Sequence, residues 1–517
     1  MRKIIYISVF ISGMVTLAVE MTASRLLGSV FGTSNLVWSS IIGLILIYLA
    51  VGYFLGGYWV DKKPDKRTFF NILIWASISI CTIPLLSRPV LRLAANGFDQ
   101  LQMGVLFGSF FAVLVLFIVP IILLGTISPF AIRLAIQEKE TSGKISGNIY
   151  AISTLGSFVG TFLPVLFLIP LFGTYRTFIF FGGVLLLSAL ICKAAACGIK
   201  SILYFLWAPI LIIVLWFWGL PGTDKTSANQ IFETESSYNY IQVLDDNEFQ
   251  LLRLNEGQGI HSIYHPEINN YYGPWEQVSV SPFFNPAPYD MEEIERIAII
   301  GLAAGTASKF ATMVYGPVQI DGFEIDPKIV EVAREYFDMN EENLNIHIDD
   351  GRWGLDKSPY KYSIINIDAY RPPYIPFHMT TQEFFKIAYD HLTDDGVVVI
   401  NVGRSPNDRR LINSLSSTLL TIFPSVHVMD IPNTFNSMIF ATRQKTNATN
   451  LIENYVYLDS LGNIHPELLA TMQLTIANLK PAPEPAKVFT DDLAPIEWIT
   501  NTMVLDFIMN GNMETIQ

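Results

Sequence analysis

Three carboxylates lie at the ends of short apolar runs in the C-terminal half of the chain: Glu324, Asp350 and Asp368. Such β-branched and apolar runs are typical of strands in a parallel sheet. Because the carboxyl ends of parallel strands meet at one edge of the sheet, we expect the three acids to converge on one crevice. There they could bind a cation, accept hydrogen bonds or remove a proton. The sequence therefore predicts a small-molecule site at this edge.

A glycine-containing turn from Gly301 to Gly305 precedes these acids. Glycine allows the backbone to approach a ligand closely and to adopt positive φ. The turn follows the apolar run 297–300, and Glu324 comes about 20 residues later, where a carboxylate can accept both ribose hydroxyls. The pattern predicts a Rossmann-type nucleoside site formed by Gly301, Gly305, Glu324 and the neighbouring Asp326.

Strands and helices alternate around this site. Helices are predicted at 327–337 and 380–392, and the predicted strands are 297–300, 319–323, 345–348, 363–367, 397–402 and 436–442. This alternation indicates a doubly wound, mostly parallel α/β sheet. Short alternating strands between 231 and 254 predict a small β-domain ahead of it.

The N-terminal part differs sharply in composition. Residues 1–222 carry a net charge of +9, whereas the remainder carries −22. Seven apolar stretches are each close to the roughly 20 residues that a membrane-spanning helix needs; they are 4–23, 36–60, 69–87, 103–125, 148–172, 177–192 and 201–220. The sequence predicts an α-helical membrane bundle of about seven helices in contact with the lipid bilayer. Two pairs of glycines four residues apart, Gly52/Gly56 and Gly156/Gly160, predict close helix packing.

The side of the membrane on which the acidic part lies is left open by the sequence. With the N-terminus inside, eleven basic residues fall in inside segments and four in outside segments, which agrees with the positive-inside rule. Seven spans then place the acidic part outside the cytoplasm, whereas a nucleoside made in the cytosol favours the cytoplasmic side. The expected location is therefore the cell membrane, as a multi-pass protein.

Four domains are expected from these patterns. They are a transmembrane domain (1–222), a small β-domain (223–291), a nucleoside-binding catalytic domain (292–445) and a C-terminal extension (446–517) that could close the site. The acidic surface makes nucleic acid an unlikely partner and attracts small cations such as polyamines. The histidines do not have metal-ligand spacing, so no metal is expected. Homo-oligomerisation is neither required nor excluded.

Several motifs together resemble the spermidine synthase family of aminopropyltransferases, in the branch fused to a membrane region. The motifs are Ser237-Tyr238-Asn239-Tyr240-Ile241, the Gly301 turn, Glu324-Ile325-Asp326, Asp350-Gly351, Asp368-Ala369-Tyr370, Ile375-Pro376-Phe377-His378-Met379-Thr380 and Thr490-Asp491-Asp492-Leu493-Ala494-Pro495-Ile496-Glu497. The segment from Gly56 to Lys62 also resembles a loop of major-facilitator transporters. The resemblance implies the Rossmann-like fold that methyltransferases and spermidine synthases share.

The resemblance also implies a reaction. An amine attacks the aminopropyl carbon of decarboxylated S-adenosylmethionine, and methylthioadenosine leaves. Asp368 stands at the position of the catalytic base, Glu324 would hold the ribose and Asp350 the adenine amino group. The further candidates for substrate binding are Tyr238, Asn239, Gln258, Tyr271, Glu276, Arg371, Asp491 and Asp492.

The chain departs from the family at the amine site. Ala304 replaces an acid in the glycine turn, Arg371 replaces a second carboxylate, and Pro274-Trp275 replaces a Tyr-Gln or Tyr-His pair. Arg371 could hold the carboxylate of intact S-adenosylmethionine in a bidentate pair. Two alternatives therefore stay open: methyl transfer, cyclisation or cleavage of intact S-adenosylmethionine, and a transporter-like sensor that binds a nucleoside or polyamine without turnover.

Overall fold

The structure is a computed structural model of the 517-residue chain. It describes residues 2–31, 35–101, 104–136, 142–218, 227, 229–255, 259–370 and 374–509. Packing divides the chain into two compact units. The first comprises Met1–Thr226 and Glu235–Asn239, and the second comprises Ser227–Thr234 and Tyr240–Gln517. The first unit is helical, and the second is built on two β-sheets.

Apolar helices form the first unit, as expected where backbone groups must be satisfied without water. In its described residues the α-helices are α1 (Arg2–Phe31), α2 (Asn35–Lys62), α3 (Lys66–Leu101), α4 (Gly104–Gly125), α5 (Ile127–Ala135), α6 (Ser142–Leu163), α7 (Ile169–Cys197) and α8 (Trp207–Trp218). A π-helical turn, Pro164–Leu168, joins α6 to α7. Within α7 the backbone leaves the helical conformation at Gly173, where φ is 79° and ψ is 171°.

Five helical stretches among the described residues are long and apolar enough to cross a bilayer: Arg2–Gly28, Val37–Lys62, Lys66–Leu91, Gly108–Ala135 and Ser142–Cys197. The pair Ile199–Phe205 and Trp207–Phe217, which meet at 45°, makes a sixth if it counts as one span. The apolar helical character of the N-terminal part is thus confirmed. The count of seven is not confirmed, because the predicted stretches 148–172 and 177–192 lie within one 56-residue helical stretch.

Glycine pairs hold helices of this unit close together. A Cβ atom at Gly156 would lie 2.0 Å from the carbonyl oxygen of Phe10, and one at Gly160 would lie 1.9 Å from that of Met14. No larger residue fits at either position, so α1 and α6 approach each other backbone to backbone. The packing role predicted for both glycine pairs is confirmed, since Gly52 and Gly56 also face backbone atoms at less than 3 Å.

Four strands form the smaller sheet of the second unit. They lie side by side in chain order: β1 (Gln230–Glu235), β2 (Tyr240–Asp246), β3 (Phe249–Leu254) and β4 (Ser262–Tyr264). In this sheet β3 pairs antiparallel with both β2 and β4. Ile241, Val243 and Leu252 belong to the same hydrophobic core as Ile297 of the larger sheet. The predicted strands are therefore present, but a separate small β-domain is not confirmed, because the two sheets share one core.

The larger sheet has seven strands: β5 (Arg296–Ile300), β6 (Gln319–Glu324), β7 (Leu344–Ile348), β8 (Tyr362–Ile367), β9 (Leu392–Gly403), β10 (Ser425–Asp430) and β11 (Asn436–Thr442). Their spatial order is β10-β11-β9-β8-β5-β6-β7. Strands β5 to β9 pair in parallel, whereas β11 is antiparallel to both β9 and β10. The mostly parallel α/β sheet is confirmed, and β10 is the strand that the sequence pattern missed.

Helices flank this sheet and fix the position of the crevice. They are α9 (Pro274–Gln277), α10 (Thr306–Tyr315), α11 (Pro327–Tyr336), α12 (Gly351–Asp356), α13 (Gln382–Asp390), α14 (Arg410–Leu419), α15 (Ala448–Leu461), α16 (Pro466–Asn478) and α17 (Ile496–Met509). Ile297 and Ile299 of β5 pack into one core, and Ala298 and Ile300 into another. The strand order reverses between β5 and β8, so a ligand crevice is expected at the carboxyl ends of these two strands.

Candidate functional site

A cavity of about 1090 Å³ lies where the strand order reverses. Gly301 follows β5 and Asp368 follows β8, and both residues line the cavity together with Asn401 of β9. All of its lining residues belong to the second unit. Small-molecule sites commonly occupy about 300–1,000 Å³. This cavity is therefore large enough for a nucleoside and a small second substrate.

Among the described residues that line the cavity, Asp368 is the one acid. Its backbone N–H donates to the Ile300 carbonyl at 2.9 Å, which ties the residue to the end of β5. Its Oδ1 accepts a hydrogen bond from Nδ2 of Asn401 at 3.0 Å. Burial raises the pKa of the Asp368 carboxyl to about 7, and the Asn401 hydrogen bond opposes this rise. The group can therefore exchange a proton near neutral pH.

Two carboxamide oxygens beside Asp368 have no hydrogen-bond partner in the described structure: Oδ1 of Asn366 and Oδ1 of Asn401. Both residues line the cavity and are buried, with 1% and 7% of their surface exposed. A buried acceptor without a partner is costly unless a ligand or water supplies a donor. Together with Asp368, these oxygens form an acceptor surface suited to an ammonium group.

Gly301 makes the tight contact between the turn and Asp368 possible. Its φ is +84°, and a Cβ atom would lie 2.6 Å from the Asp368 carbonyl oxygen. Gly305 also has positive φ, +79°, and is the N-cap residue that precedes α10. A Cβ atom there would meet the Met339 side chain at 2.8 Å, and Gly305 is outside the cavity wall.

Glu324 lies behind the glycine turn. Its Oε2 accepts from the N–H of Ala303, a residue of the cavity wall, and its Oε1 accepts from the N–H of Asp326, both at 3.0 Å. Burial raises the pKa of Glu324 to about 7, and these N–H groups oppose the rise. Asp326 is fully buried, and its side chain accepts from the N–H of Lys328 at the start of α11. Neither acid belongs to the cavity wall.

The region that carries this site matches a known family model. Residues 291–454 match the family model described as spermine/spermidine synthase domain. The C-terminal part of the chain carries a spermine/spermidine synthase domain. The synthase domain thus includes Gly301, Glu324, Asp350, Asp368 and Asn401.

Two relatives of the chain are named as aminopropyltransferases. It is 30% identical over 295 residues to the "Probable polyamine aminopropyl transferase" of Bifidobacterium longum, covering 54% of this chain and 64% of that protein. It is 28% identical over 211 residues to the "Polyamine aminopropyltransferase" of Vibrio vulnificus, covering 39% of this chain and 68% of that protein. The chain thus spans less than two thirds of the length of the Bifidobacterium protein.

Two solved spermidine synthase structures are similar to about half of the chain. A probable spermidine synthase from Corynebacterium glutamicum is 19% identical, with a TM-score of 0.39, and covers 54% of this chain and 94% of its own. Spermidine synthase from Thermotoga maritima is 16% identical, with a TM-score of 0.36, and covers 56% of this chain and 87% of its own.

The side chain of Asp350 in the synthase domain contacts the backbone N–H groups of the residues that follow it and the side chain of a histidine. Its Oδ1 accepts from the N–H groups of Arg352 and Trp353, so it caps α12. Its Oδ2 lies 3.0 Å from Nε2 of His378. The hydrogen bond from His378 is the main reason that the pKa of Asp350 is lowered. Asp350 is outside the cavity wall, and its adenine-binding role stays a prediction.

Tyr271 lines the cavity, but Glu276 does not. Glu276 is completely buried, and it accepts hydrogen bonds from the N–H groups of Tyr271 and Gly273 at 3.0 and 2.9 Å. Its carboxylate thus holds the loop that carries Tyr271, Tyr272 and Gly273 into the wall. Glu276 therefore acts on the cavity through this loop, and its direct contact with a substrate stays a prediction.

The acids of the C-terminal segment lie apart from the cavity wall. Both oxygens of Asp491 accept from Arg352 at 2.7 Å, and Thr381 donates a third hydrogen bond. Asp492 is exposed. Helix α17, which follows, reaches the wall instead through Thr500 and Met503. Helix α17 thus contributes to the wall, and closure of the site by the C-terminal extension stays a prediction.

The remaining candidates cannot be assigned to the cavity. Tyr238 and Asn239 belong to the first compact unit, where the Tyr238 carbonyl accepts from Arg25 at 2.9 Å. Gln258 and Arg371 lie outside the described residues. Sequence reasoning missed Asn401. Its signal in the sequence was the amide side chain that directly follows the apolar strand run 397–400. In the sheet Ile367 pairs with Ile400, so Asp368 and Asn401 are the next residues on these two neighbouring strands.

Proposed function

We propose that the chain is a membrane-anchored enzyme of the aminopropyltransferase type that uses an S-adenosylmethionine-type nucleoside. In the proposed reaction, a neutral amine attacks the carbon next to the sulfonium. A C–N bond forms, the C–S bond breaks with its electron pair going to sulfur, and methylthioadenosine leaves. The observation that carries this proposal is the Asp368–Asn401 pair in the cavity of a spermine/spermidine synthase domain.

Asp368 is assigned the proton transfer. An alkylammonium has a pKa near 10 when unperturbed, as in lysine, so it must lose a proton before it can attack. The ionised Asp368 carboxylate binds the ammonium and accepts that proton, with the free oxygens of Asn366 and Asn401 as further acceptors. Because the pKa of Asp368 is about 7, the carboxyl can also release the proton again at neutral pH.

The cavity wall fits a nucleoside as well as an amine. Ile263, Leu302 and Trp275 present apolar and aromatic surface that a purine can pack against. The Gly301 turn places backbone in the wall beside this surface, with Glu324 hydrogen-bonded behind it. Bound there, the nucleoside would supply the sulfonium-activated carbon. Decarboxylated S-adenosylmethionine is the named donor by family resemblance.

Membrane anchoring is the second part of the proposal. The 56-residue stretch Ser142–Cys197 would measure about 84 Å as one straight helix at 1.5 Å per residue, and the hydrocarbon core is about 30 Å thick. The stretch is therefore too long for one span, and Gly173 interrupts its helical backbone. We infer that it crosses twice, which with the bent pair gives seven spans.

A second candidate is chemistry on intact S-adenosylmethionine: methyl transfer, cyclisation or cleavage. It is favoured by Arg253, a cation in the cavity wall whose buried Nε has no hydrogen-bond partner in the described structure. A binding protein without turnover is the remaining alternative from the sequence.

Product analysis separates these functions. The purified full-length chain is incubated with S-adenosylmethionine or its decarboxylated form, with and without putrescine. Amine-dependent methylthioadenosine is expected. Amine-independent methylthioadenosine would instead indicate cleavage or cyclisation, S-adenosylhomocysteine would indicate methyl transfer, and binding without turnover would indicate a sensor.

A further inference from the structure

The two arginines of the cavity wall differ in their surroundings. Arg404 has a buried Nε without a hydrogen-bond partner, but this Nε lies 3.6 Å from Asp430, and the guanidinium donates to the Thr434 carbonyl at 3.1 Å, so protein groups compensate its charge. Arg253 of β3 has a buried Nε without a hydrogen-bond partner, and no carboxylate of the described residues lies within ion-pair distance of it. An arginine stays charged in proteins. A partly buried guanidinium without an acid is less favourable than a paired one, and either water or a ligand anion in the cavity can compensate its charge.

His261 and Tyr271 are two more hydrogen-bonding side chains of the wall. His261 comes just before β4 of the smaller sheet, and Tyr271 comes after it. The N–H of His261 donates to the Leu252 carbonyl at 2.8 Å, which places His261 beside Arg253. Burial lowers the pKa of His261 to about 4, so its imidazole is neutral at pH 7, and its Nε2 has no partner in the described structure. The Tyr271 hydroxyl accepts from the N–H of His265, which leaves its own hydrogen for another acceptor.

The wall therefore has two chemically distinct parts. Arg253, His261 and Tyr271 offer donors from the smaller sheet and the loop behind it. The acceptors Asp368, Asn366 and Asn401 come from the ends of β8 and β9 in the larger sheet. A ligand that complements both parts carries an anion as well as a cation.

We propose that Arg253, with His261 and Tyr271, forms a subsite for a carboxylate, so that the cavity takes a substrate of amino-acid type. The carboxylate would come either from intact S-adenosylmethionine or from the acceptor amine. The inference rests on the proposed function for the location of the site, and it goes further by naming a chemical group that decarboxylated S-adenosylmethionine and putrescine both lack.

Two pairs of compounds, each differing by one carboxylate, test the subsite. They are S-adenosylmethionine with its decarboxylated form, and ornithine with putrescine. Dissociation constants are measured by titration calorimetry on the full-length chain in detergent. The amines are titrated in the presence of saturating methylthioadenosine. We expect at least one carboxylated compound to bind at least tenfold more tightly than its partner, and the pair that shows this preference identifies the source of the carboxylate.

Variants then assign the preference to Arg253. Arg253→Met should abolish it while leaving methylthioadenosine binding within about threefold, which also shows that the variant is folded. Arg253→Lys keeps the charge and should retain part of the preference. If neither pair differs by more than twofold, or if Arg253→Met keeps the full preference, the carboxylate subsite is wrong, although the proposed function stands as long as methylthioadenosine binds. If no nucleoside binds at all, the proposed function fails as well.

Discussion

Asn401 donates a hydrogen bond from its Nδ2 to Oδ1 of Asp368 over 3.0 Å, across the neighbouring ends of β9 and β8. The same carboxamide leaves its Oδ1 without a partner in the described structure. Asn401 therefore fixes the orientation of the carboxylate and stabilises its charged form against burial.

The rate of the reaction should rise with pH through about 7. The ionised form of Asp368 is the active one, and its fraction increases as pH rises through the pKa. Asn401→Leu removes the hydrogen bond that opposes the burial effect, so the rising limb should move to higher pH, by roughly half a unit or more. Initial rates of methylthioadenosine formation between pH 5.5 and 9 measure this.

Burial also raises the pKa of Glu324 to about 7, so the response to Asn401→Leu is what assigns the limb to Asp368, and that response needs a control for the loss of an amide. Asn366→Leu removes a neighbouring amide that donates no hydrogen bond to Asp368 among the described contacts, and it should leave the limb in place. A limb that does not move in Asn401→Leu would assign the titration to another group.

Asp368→Asn should make the second unit more stable at pH 8. The folded pKa of about 7 lies above the unfolded value of about 3.9, so the group's favourable contribution is complete below pH 4 and is lost as pH rises through 7. Asparagine cannot ionise and avoids this loss. We expect a melting temperature higher by about 2–4 °C or more at pH 8, and a smaller difference at pH 5. Asp492→Asn, at an exposed position, is the control and should change nothing. A variant that melts below the wild type at pH 8 would contradict the burial argument.

Gly301→Ala should reduce activity far more than Gly462→Ala. Both glycines have positive φ, so alanine costs each variant about 1 kcal/mol or more. Position 462 has open space around a new Cβ, whereas at position 301 the Cβ would lie 2.6–2.7 Å from the backbone of Asp368 and Ala369. The turn must therefore shift Asp368. We expect at least a tenfold loss of rate in Gly301→Ala only. Similar rates in both variants would show that the contact with Asp368 is unimportant.

A cysteine at position 226 should be labelled from outside intact cells. Seven spans with the N-terminus inside place this position on the outer side of the membrane. The measurement uses an impermeant maleimide on Thr226→Cys in a chain whose Cys81, Cys192 and Cys197 are replaced by alanine. Lys63→Cys, in a segment assigned to the inside, is the matched control and should react only after lysis. The reverse pattern would overturn the seven-span topology.

Much of the larger sheet could be predicted from the sequence. Runs such as 297–300 and 363–367 are apolar and β-branched, and burial on both faces of a parallel sheet requires this composition. Strand β10 was missed because Ser425 and His427 interrupt its apolar pattern, and it is antiparallel at the edge of the sheet. The sequence predicted two helices, 148–172 and 177–192, where the structure has one long helical stretch, Ser142–Cys197. Composition alone does not show where a helix bends or ends.

The site was predicted less completely. Strand ends indicate where Glu324, Asp350 and Asp368 begin their loops, but not which N–H groups each carboxylate meets. In the structure, Asp350 is engaged by the first N–H groups of α12 and by His378, and Glu324 by the N–H of Ala303. Arg253 becomes a site residue only through the pairing of strands, which no local pattern reveals, whereas Asn401 had a local signal in the amide that follows the apolar run 397–400.

We propose that Asp368 performs the proton transfer in a cavity that binds the nucleoside independently of this carboxylate. Single-turnover formation of methylthioadenosine from decarboxylated S-adenosylmethionine and putrescine, with wild type and Asp368→Asn at equal nucleoside occupancy, tests it most directly. We expect the variant to bind the nucleoside within about threefold of the wild type and to react at least a hundredfold more slowly. A variant that reacts within threefold of the wild-type rate would contradict the account.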